Sequence, residues 1–143
     1  MSSRSDFLKE MRKPLKLYEK MMAVVCEKQD ISKTELDIMA FLSNNPGKDT
    51  ASEIVEIRML PKANVSQAVE TLIQKDLVTR EQDKNDRRRV HLKLAEKSKT
   101  IVDEIHSAQN DYIKVLFMGF TPEELAQFEL LNNKILQNTQ NYL

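Results

Sequence analysis

The sequence predicts a mainly α-helical fold in which one β-hairpin interrupts a series of helices. Only two glycines and four prolines occur in 143 residues, so few positions break a helix. Two runs with alternating apolar residues, 77–81 and 90–94, predict the strands of the hairpin. Between them, Asn and Asp favour a turn and three consecutive arginines follow. A basic hairpin after two short helices is the arrangement of a winged helix-turn-helix, here with four helices before the hairpin and two after it.

Composition places the chain among ordinary globular domains. Hydrophobic residues make up 41% and charged residues 31%, and the length suits one domain with a moderate core. No apolar run approaches the roughly 18 residues that span a bilayer, and no secretory signal is visible. We therefore expect a cytoplasmic protein without a membrane partner. The single cysteine, Cys26, cannot form an internal disulfide, which fits a reducing compartment.

The chain has none of the patterns that enzymes use. It contains no glycine-rich phosphate loop, no nucleophile paired with a base and no paired catalytic carboxylates. Cys26, His91 and His106 do not have the spacing of metal ligands. We therefore expect neither catalysis nor a cofactor nor a bound metal.

The charges of the chain are unevenly distributed, although they sum to zero. Residues 84–93 hold five lysines and arginines against Asp86, whereas residues 120–143 hold three glutamates against Lys134. Affinity for phosphates would then be local to the hairpin and sensitive to salt. Zero net charge is unusual for a monomeric nucleic-acid binder. It leaves open an alternative class, a winged-helix module that binds proteins without specific DNA recognition.

The two ends of the chain predict long amphipathic helices. Apolar residues recur at three- and four-residue spacing through 6–28, where Pro14 can introduce a kink. The same spacing runs through the C-terminal segment, where Gly119 is expected to end one helix as its C′ residue. Such stripes exceed what one small domain buries. Residues 1–30 and 98–143 are therefore predicted to form the dimerisation helices of a homodimer.

The central segment, 31–97, predicts the winged lobe itself. Ser32 and Thr50 are each followed three residues later by Glu, the spacing of a capping box at the start of a helix. Apolar residues in 65–73 fall on one face of a helix, and the other face carries short or amide side chains. This segment is the predicted recognition helix.

Segments spread along nearly the whole chain match one known family. They are 34–39 in the second helix, 51–54 at the start of the helix-turn-helix, 65–72 in the recognition helix, 77–80, and the wing 83–88 running into 92–94. On these segments the chain resembles the MarR (multiple antibiotic resistance regulator) type of bacterial transcription factor. The wing sequence Asp83-Lys84-Asn85-Asp86-Arg87-Arg88 is the specific part. The resemblance implies a dimeric, ligand- or redox-responsive regulator, here expected to be a ligand-responsive repressor, on a pseudo-palindromic operator.

Three positions depart from the usual pattern of that family. Asp76 stands where glycine is typical after the recognition helix, and Asp tolerates the left-handed conformation better than most residues. Ala95 and Ser98 stand where Thr and Gly usually open the next helix, so we expect that helix to lack its cap. These changes predict a looser hinge below the wing and remove no DNA contact.

The recognition helix supplies the first group of predicted DNA contacts. Ser66 and Gln67 are the candidates for base edges, because a Gln amide can form two hydrogen bonds with adenine. The alternative is that Asn64 and Gln67 only cap the helix. The other predicted contacts from this part of the chain, mainly to phosphates, are Lys62, Asn64, Thr71 and Lys75.

The wing supplies the second group. Arg87 and Arg89 are predicted to enter a minor groove, whose negative potential attracts guanidinium groups; the alternative is a solvated hairpin tip. Arg88 belongs to the same predicted set. Arg80 is expected either to reach a phosphate or to brace the wing. Asp86 is anionic, so it is expected to pair with Arg88 and hold the shape of the wing.

A small-molecule site is predicted more loosely. The resemblance implies a pocket for an aromatic or phenolic effector between the dimer helices and the winged lobe, and Tyr18, Met22, Met39 and Phe41 are its candidate lining. The alternative is that these residues are core, as Met and aromatic residues at helical spacing usually are. Cys26 lies on an apolar stripe near the C-terminal end of its helix, where the dipole disfavours a thiolate. We expect a buried structural thiol there.

Overall fold

The computed structural model describes residues 3–143 and confirms the predicted order of elements. These residues form α1 (Arg4–Gln29), α2 (Lys33–Asn44), α3 (Ala51–Arg58), α4 (Lys62–Gln74), β1 (Val78–Gln82), β2 (Val90–Leu94), α5 (Lys99–Leu116) and α6 (Pro122–Gln140). The fold is the mainly helical winged helix that the sequence predicts. Within residues 3–143, no helix has both the length and the apolar character needed to cross a membrane.

The capping boxes predicted at Ser32 and Thr50 are present. The Ser32 hydroxyl accepts a hydrogen bond from the Glu35 amide at 3.1 Å, and the Glu35 carboxylate accepts one from the Ser32 amide at 3.1 Å. Thr50 and Glu53 repeat this arrangement at 3.2 and 3.4 Å. Each box satisfies amides that the first turn of a helix leaves unpaired. The starts of α2 and α3 are therefore fixed by local sequence.

The hydrophobic core lies in the winged lobe and continues into the adjoining parts of α1 and α5. α2 is its central helix, because α1, α4, α5 and β2 all pack against it. Leu36, Ile38 and Met39 of α2 are completely buried. The other elements contribute Met22 and Val25 (α1), Ile54 (α3), Val65, Ala68, Val69 and Leu72 (α4), Val78 and Leu92 (the strands), and Ile101, Val102 and Ile105 (α5).

α6 and the first half of α1 stand outside that core. No residue of α6 is buried. Leu8 and Met11 of α1 are 64% and 54% exposed, and Leu131 and Ile135 of α6 are 58% and 50% exposed. Single exposed apolar residues are ordinary, but rows of them on two helices mark a surface that a single chain leaves uncovered.

The hairpin is tied to the lobe at its base. β1 and β2 are antiparallel, in a register that runs from Val78 opposite Leu94 to Gln82 opposite Val90. On β2, the Leu92 amide donates to the Asp49 carbonyl at 2.8 Å, which joins the wing to the loop before α3. The base of the wing therefore moves with the lobe.

The turn between α4 and β1 explains why the first strand begins one residue later than predicted. The Leu77 amide donates to the Leu72 carbonyl at 2.9 Å, and the Asp76 amide donates to the Ile73 carbonyl at 3.0 Å. This is the Schellman pattern that closes a helix, so Leu77 belongs to the helix end. Asp76 has the predicted left-handed conformation, with φ 60°.

The ends of α5 differ in part from the prediction. As expected, no side chain caps the start of α5. A short 3-10 helix, Glu96–Ser98, precedes it, and the Ser98 hydroxyl donates to the Ala95 carbonyl at 2.6 Å. The helix ends earlier than predicted, with Phe117 as its C-cap. Gly119 (φ 82°) thus lies beyond the C′ position. The Phe117 ring packs edge-on against Phe120 and Phe128, which bends the chain into α6.

Candidate nucleic-acid interface

α4 has one buried face and one exposed polar face. Its buried residues are all apolar and face the core. Ser66 and Gln67 are exposed. The helix begins after Pro61 without a side-chain cap, so Asn64 and Gln67 do not form the cap that was the alternative interpretation. Their amide groups remain available to a partner at the helix surface.

A first hollow lies between α4, the start of α3 and the wing. It has a volume of about 420 Å³. Four of the residues predicted to contact DNA line it: Lys62 and Ser66 from α4, and Arg88 and Arg89 from the wing. Thr50 and Ser52 add hydroxyl groups from the start of α3. Cationic and hydroxyl side chains from three elements thus converge on one groove.

A second hollow lies on the opposite side of α4, against the start of α2. It has a volume of about 270 Å³ and is lined by the predicted residues Asn64, Gln67 and Thr71, with Ser32 and Thr34 of α2. The Thr71 hydroxyl donates back to the Gln67 carbonyl at 3.1 Å. The polar face of α4 is therefore bordered by hydroxyl groups on both sides.

The sequence interpretation did not select Thr34 and Ser52. Each is the second residue of its helix, one position after the helix start. The first turn of a helix carries unpaired amides and favours anionic partners. The position of Thr34 and Ser52 in a first turn is therefore the sequence signal that could have identified them.

Lys75, a predicted phosphate contact, is engaged within the chain. Its ammonium donates to the Glu35 carboxylate at 2.9 Å and to the Asp30 carbonyl at 2.8 Å. Burial alone would raise the pKa of Glu35, but hydrogen bonds from Ser32 and Lys75 outweigh it and lower that pKa. Lys75 thus fastens the end of α4 to the start of α2.

The wing arginines differ in what they contact. Arg80 pairs with Glu70 of α4, as the bracing interpretation proposed. Arg89 lies 3.5 Å from Glu53. Arg88 lies 3.5 Å from Asp86, the pairing that the sequence predicts, yet its side chain is 93% exposed. Arg87 forms no ion pair with any of the residues from 3 to 143. The tip therefore presents Arg87 and Arg88 to solvent.

The turn that carries these arginines is built around Asp83. Its carboxylate accepts hydrogen bonds from the amides of Asn85 and Asp86 at 2.7 and 2.9 Å. A hydrogen bond from His91 and these two amide bonds hold the pKa of Asp83 at about 2. Asp86 in turn accepts from the Arg88 amide at 3.0 Å. The wing tip is thus an ordered turn organised by two aspartates.

The residues predicted to line an effector pocket occupy two different environments. Met22, Met39 and Phe41 are buried in the core, at 4% exposure or less. Tyr18 is half-buried where α1 meets α5: its ring lies 5.1 Å from that of Tyr112, and its hydroxyl accepts from Gln109 at 2.9 Å. Three of the four are packed side chains, and the effector pocket stays a prediction.

Cys26 and His106 are both half-buried. The Cys26 thiol is half-buried, and its pKa is raised by burial and then by the nearby charges of Asp37 and Glu35. His106 shares a hydrogen bond with Ser43 at 2.9 Å. In the described part of the chain, no group of three His, Cys, Asp or Glu residues is placed to hold a metal ion.

An exposed polar helix, a basic hairpin beside it and a cationic groove between them define a winged helix-turn-helix protein of the DNA-binding class. The sequence model of the MarR family matches residues 29–89, from the end of α1 to the wing tip. The match covers the winged lobe, and over this part the chain is similar to the MarR family of helix-turn-helix transcriptional regulators. Proteins of this family act as DNA-binding regulators and are not enzymes.

Individual proteins are similar to the chain in sequence or in fold. The chain is 23% identical over 107 residues to YpoP of Bacillus subtilis, a helix-turn-helix-type transcriptional regulator, with 75% of each chain covered. The structure of S. aureus MepR in complex with DNA is similar, with a TM-score of 0.77, 19% identity and 96% of each chain covered. Bordetella bronchiseptica BpsR, whose DNA binding is regulated by 6-hydroxynicotinic acid, has a TM-score of 0.70 and 18% identity, with 91% of this chain and 98% of BpsR covered.

Proposed function

We propose that the chain is a repressor that binds a pseudo-palindromic operator as a homodimer and responds to a small aromatic ligand. The observation that carries the DNA-binding part is the exposed pair Ser66 and Gln67, which line the two hollows on either side of α4. A recognition helix reads the major groove with residues of its first turns. The wing lies beside it, where it can reach the adjacent backbone or minor groove.

The proposed roles of the side chains follow from their surroundings. Gln67 reads a base edge, with Ser66 beside it, since a glutamine amide can bind adenine through two hydrogen bonds. Lys62 and Asn64 contact phosphates at the start of α4. Arg87 enters the minor groove or binds a phosphate, because its guanidinium is exposed at the wing tip.

The other predicted contacts act mainly through the shape of the site. Lys75 and Arg80 are engaged with Glu35 and Glu70 and so hold α4 and the wing in place. Arg89 contributes charge to the groove while it contacts Glu53. Phosphate contacts position a protein on DNA, whereas base contacts specify the sequence.

The proposed homodimer rests on the apolar surface that a single chain leaves uncovered. α6 has no buried residue, and the first half of α1 exposes a row of apolar side chains. Residues 1–30 and 98–143 would cover these faces by packing against a second copy, and 31–97 would form the DNA-binding lobe. A twofold axis would then place two α4 helices about one turn of DNA apart.

The ligand response is supported by chemistry where α1 meets α5. Tyr18 and Tyr112 place aromatic rings there, and Gln109 adds an amide. Regulation of BpsR by 6-hydroxynicotinic acid is a property of that protein, and we extend it to this chain as a proposal. A small aromatic or phenolic acid is the proposed class of effector.

Gel-shift titration of the chain on DNA from upstream of its own gene tests the proposal. We expect a discrete complex that weakens steeply with salt and is released by an aromatic acid. The alternative function, a protein-binding winged helix, is favoured by the zero net charge of the chain. Equal affinity for upstream and scrambled duplexes would support that alternative.

A further inference from the structure

The imidazole of His91 lies between two carboxylates that belong to different parts of the lobe. Its Nδ1 is 2.6 Å from Asp49 Oδ1, and its Nε2 is 2.7 Å from Asp83 Oδ2. Asp49 lies in the loop before α3, and Asp83 begins the turn at the wing tip. All three side chains are at most 28% exposed. His91 thus links the wing tip to the body of the lobe.

Only the protonated imidazole can make both contacts. Ionised carboxylates accept hydrogen bonds and donate none, whereas a neutral imidazole has one N–H and one acceptor nitrogen. Two carboxylates within 2.7 Å of the two ring nitrogens therefore require the imidazolium, which donates from both. Such charge-assisted hydrogen bonds are shorter and stronger than neutral ones.

The charged groups around His91 favour its protonated form. Besides Asp49 and Asp83, Glu81 lies directly opposite His91 on β1. Lys93, on the strand of His91, pairs with Glu81, and Lys84 lies at the wing tip on the same surface hollow. The hydrogen bonds with Asp49 and then with Asp83 raise the pKa of His91 above its ordinary value of 6.5.

We propose that His91 is a positioning residue whose protonation holds the wing tip in its DNA-binding shape, so that DNA affinity falls as pH rises. The inference rests on the proposed DNA-binding function and adds a form of regulation to it. The connection runs through Asp83, because the same carboxylate that contacts His91 also accepts the amides of Asn85 and Asp86. That turn carries Arg87 and Arg88.

Loss of the proton changes the wing tip but leaves its base in place. A neutral His91 can donate to only one carboxylate, and the other then faces a ring nitrogen that also accepts. Asp49 and Asp83 lose the cation between them and repel each other. The Leu92–Asp49 backbone bond does not involve the ring, so the base of the hairpin stays attached. The wing arginines consequently lose their fixed position.

The direction of the pH dependence follows from the linkage between proton binding and folding. The pKa of His91 is raised in the folded chain above the ordinary histidine value of 6.5. The stabilisation that the protonated ring gives the folded wing is therefore fully present below pH 6.5. It is lost as pH rises through the raised pKa. An imidazole ordinarily titrates near neutral pH, and the raised pKa of His91 places the loss above pH 6.5.

The test compares the parent with two matched variants, His91→Gln and His106→Gln. Fluorescence anisotropy measures binding to a duplex from upstream of the gene, at constant ionic strength, between about pH 5.5 and about pH 8. The parent and His106→Gln are expected to lose affinity by about threefold or more across this range, as the competent wing becomes less populated. His91→Gln should bind with the weaker affinity throughout, without this pH dependence.

A second measurement uses the parent protein, in which the imidazole ring of His91 is intact. In the parent, the imidazole of His91 is followed by NMR while amide exchange is measured at Asn85 and Asp86. Exchange at both amides should accelerate as the ring loses its proton. Asp49→Asn retains the ring but removes one carboxylate, so the fall in affinity should move to lower pH.

The outcomes separate this inference from the proposed function. Absence of binding to any duplex across the range would defeat the DNA-binding proposal and this inference with it. Tight binding of the upstream duplex with constant affinity would keep the proposed function and overturn the role of His91. A His91→Gln variant with the pH dependence of the parent would also overturn it, since the titrating group would then lie elsewhere.

Discussion

The ammonium of Lys75 lies 2.9 Å from the buried carboxylate of Glu35, so the end of the recognition helix is fastened to the start of α2. Glu35 also accepts the Ser32 amide at 3.1 Å and so closes the capping box. One carboxylate therefore serves two elements. Its removal or neutralisation is therefore expected to weaken both the cap of α2 and the contact between α2 and the end of α4.

Lys75→Ala is expected to reduce stability. The substitution leaves the buried Glu35 carboxylate without its cation and costs about 1–2 kcal/mol of unfolding free energy. Urea denaturation at one fixed protein concentration measures it. Lys62→Ala, which removes an exposed lysine at the other end of α4, is the control and should change stability little.

The same variant has a predicted pH dependence. The pKa of Glu35 is lowered below 4.5 in the folded chain, so its stabilisation is present above that value and is lost as pH falls through the lowered pKa. The stability difference between parent and Lys75→Ala should therefore shrink on acidification below pH 4.5. If this stability difference stayed constant down to the pH at which the parent unfolds, the ion pair between Lys75 and Glu35 would not be its cause.

Asp76→Gly is expected to stabilise the chain. Asp76 holds the left-handed conformation (φ 60°) that closes α4, and this conformation costs a residue with a Cβ about 1 kcal/mol that glycine avoids. The gain should be somewhat smaller, because Asp tolerates this region and glycine is more flexible when unfolded. Thermal denaturation checks the sign. Asp76→Ala should destabilise, and a stabilising alanine would contradict the argument.

Local sequence predicted the elements whose determinants lie within a few residues. The capping boxes at Ser32 and Thr50 and the left-handed Asp76 were all foreseen, because each depends on neighbours along the chain. Contacts across long separations were not. Lys75 and Glu35 are 40 residues apart, and His91 and Asp49 are 42 apart. A single sequence carries no periodic signal for such pairs.

The candidate site was predicted to a similar extent. The polar face of α4 and the basic wing follow from periodicity and turn composition, and the structure places both on one surface. The division between arginines that brace and arginines that are exposed could not be predicted. It depends on whether a carboxylate such as Glu70 lies within reach, which only the packing of α4 against the hairpin decides.

Arg87→Ala is expected to weaken DNA binding without loss of stability. Arg87 is exposed and its side chain has no acidic partner among residues 3–143, so truncation breaks no ion pair there. If Arg87 contacts a phosphate, the slope of log affinity against log salt should decrease by about 1. Binding titrations over a salt series measure the slope, and equal slopes and affinities for parent and variant would rule out this contact.

Leu131→Glu is expected to dissociate the proposed homodimer. The side chain is 58% exposed on α6 in the single chain, and a carboxylate there could not be buried against a second copy. Sedimentation equilibrium should give a dimer for the parent and a monomer for the variant. Gln137→Glu is the control, because at 3.6 residues per turn it lies away from the apolar stripe. A folded, monomeric parent at micromolar concentration would contradict the proposed dimer.

The most direct test of sequence-specific DNA recognition by α4 compares Gln67→Ala with Lys62→Ala on a library of single-base operator variants. A base-edge contact contributes about 1–3 kcal/mol of discrimination at one position, whereas a phosphate contact carries no direct sequence information. We predict that Gln67→Ala loses the preference at one base pair in each half-site, while Lys62→Ala weakens binding to all variants by the same factor. If Gln67→Ala instead scales every affinity equally, Gln67 does not read a base, and the account of α4 as the reading helix is contradicted at its central residue.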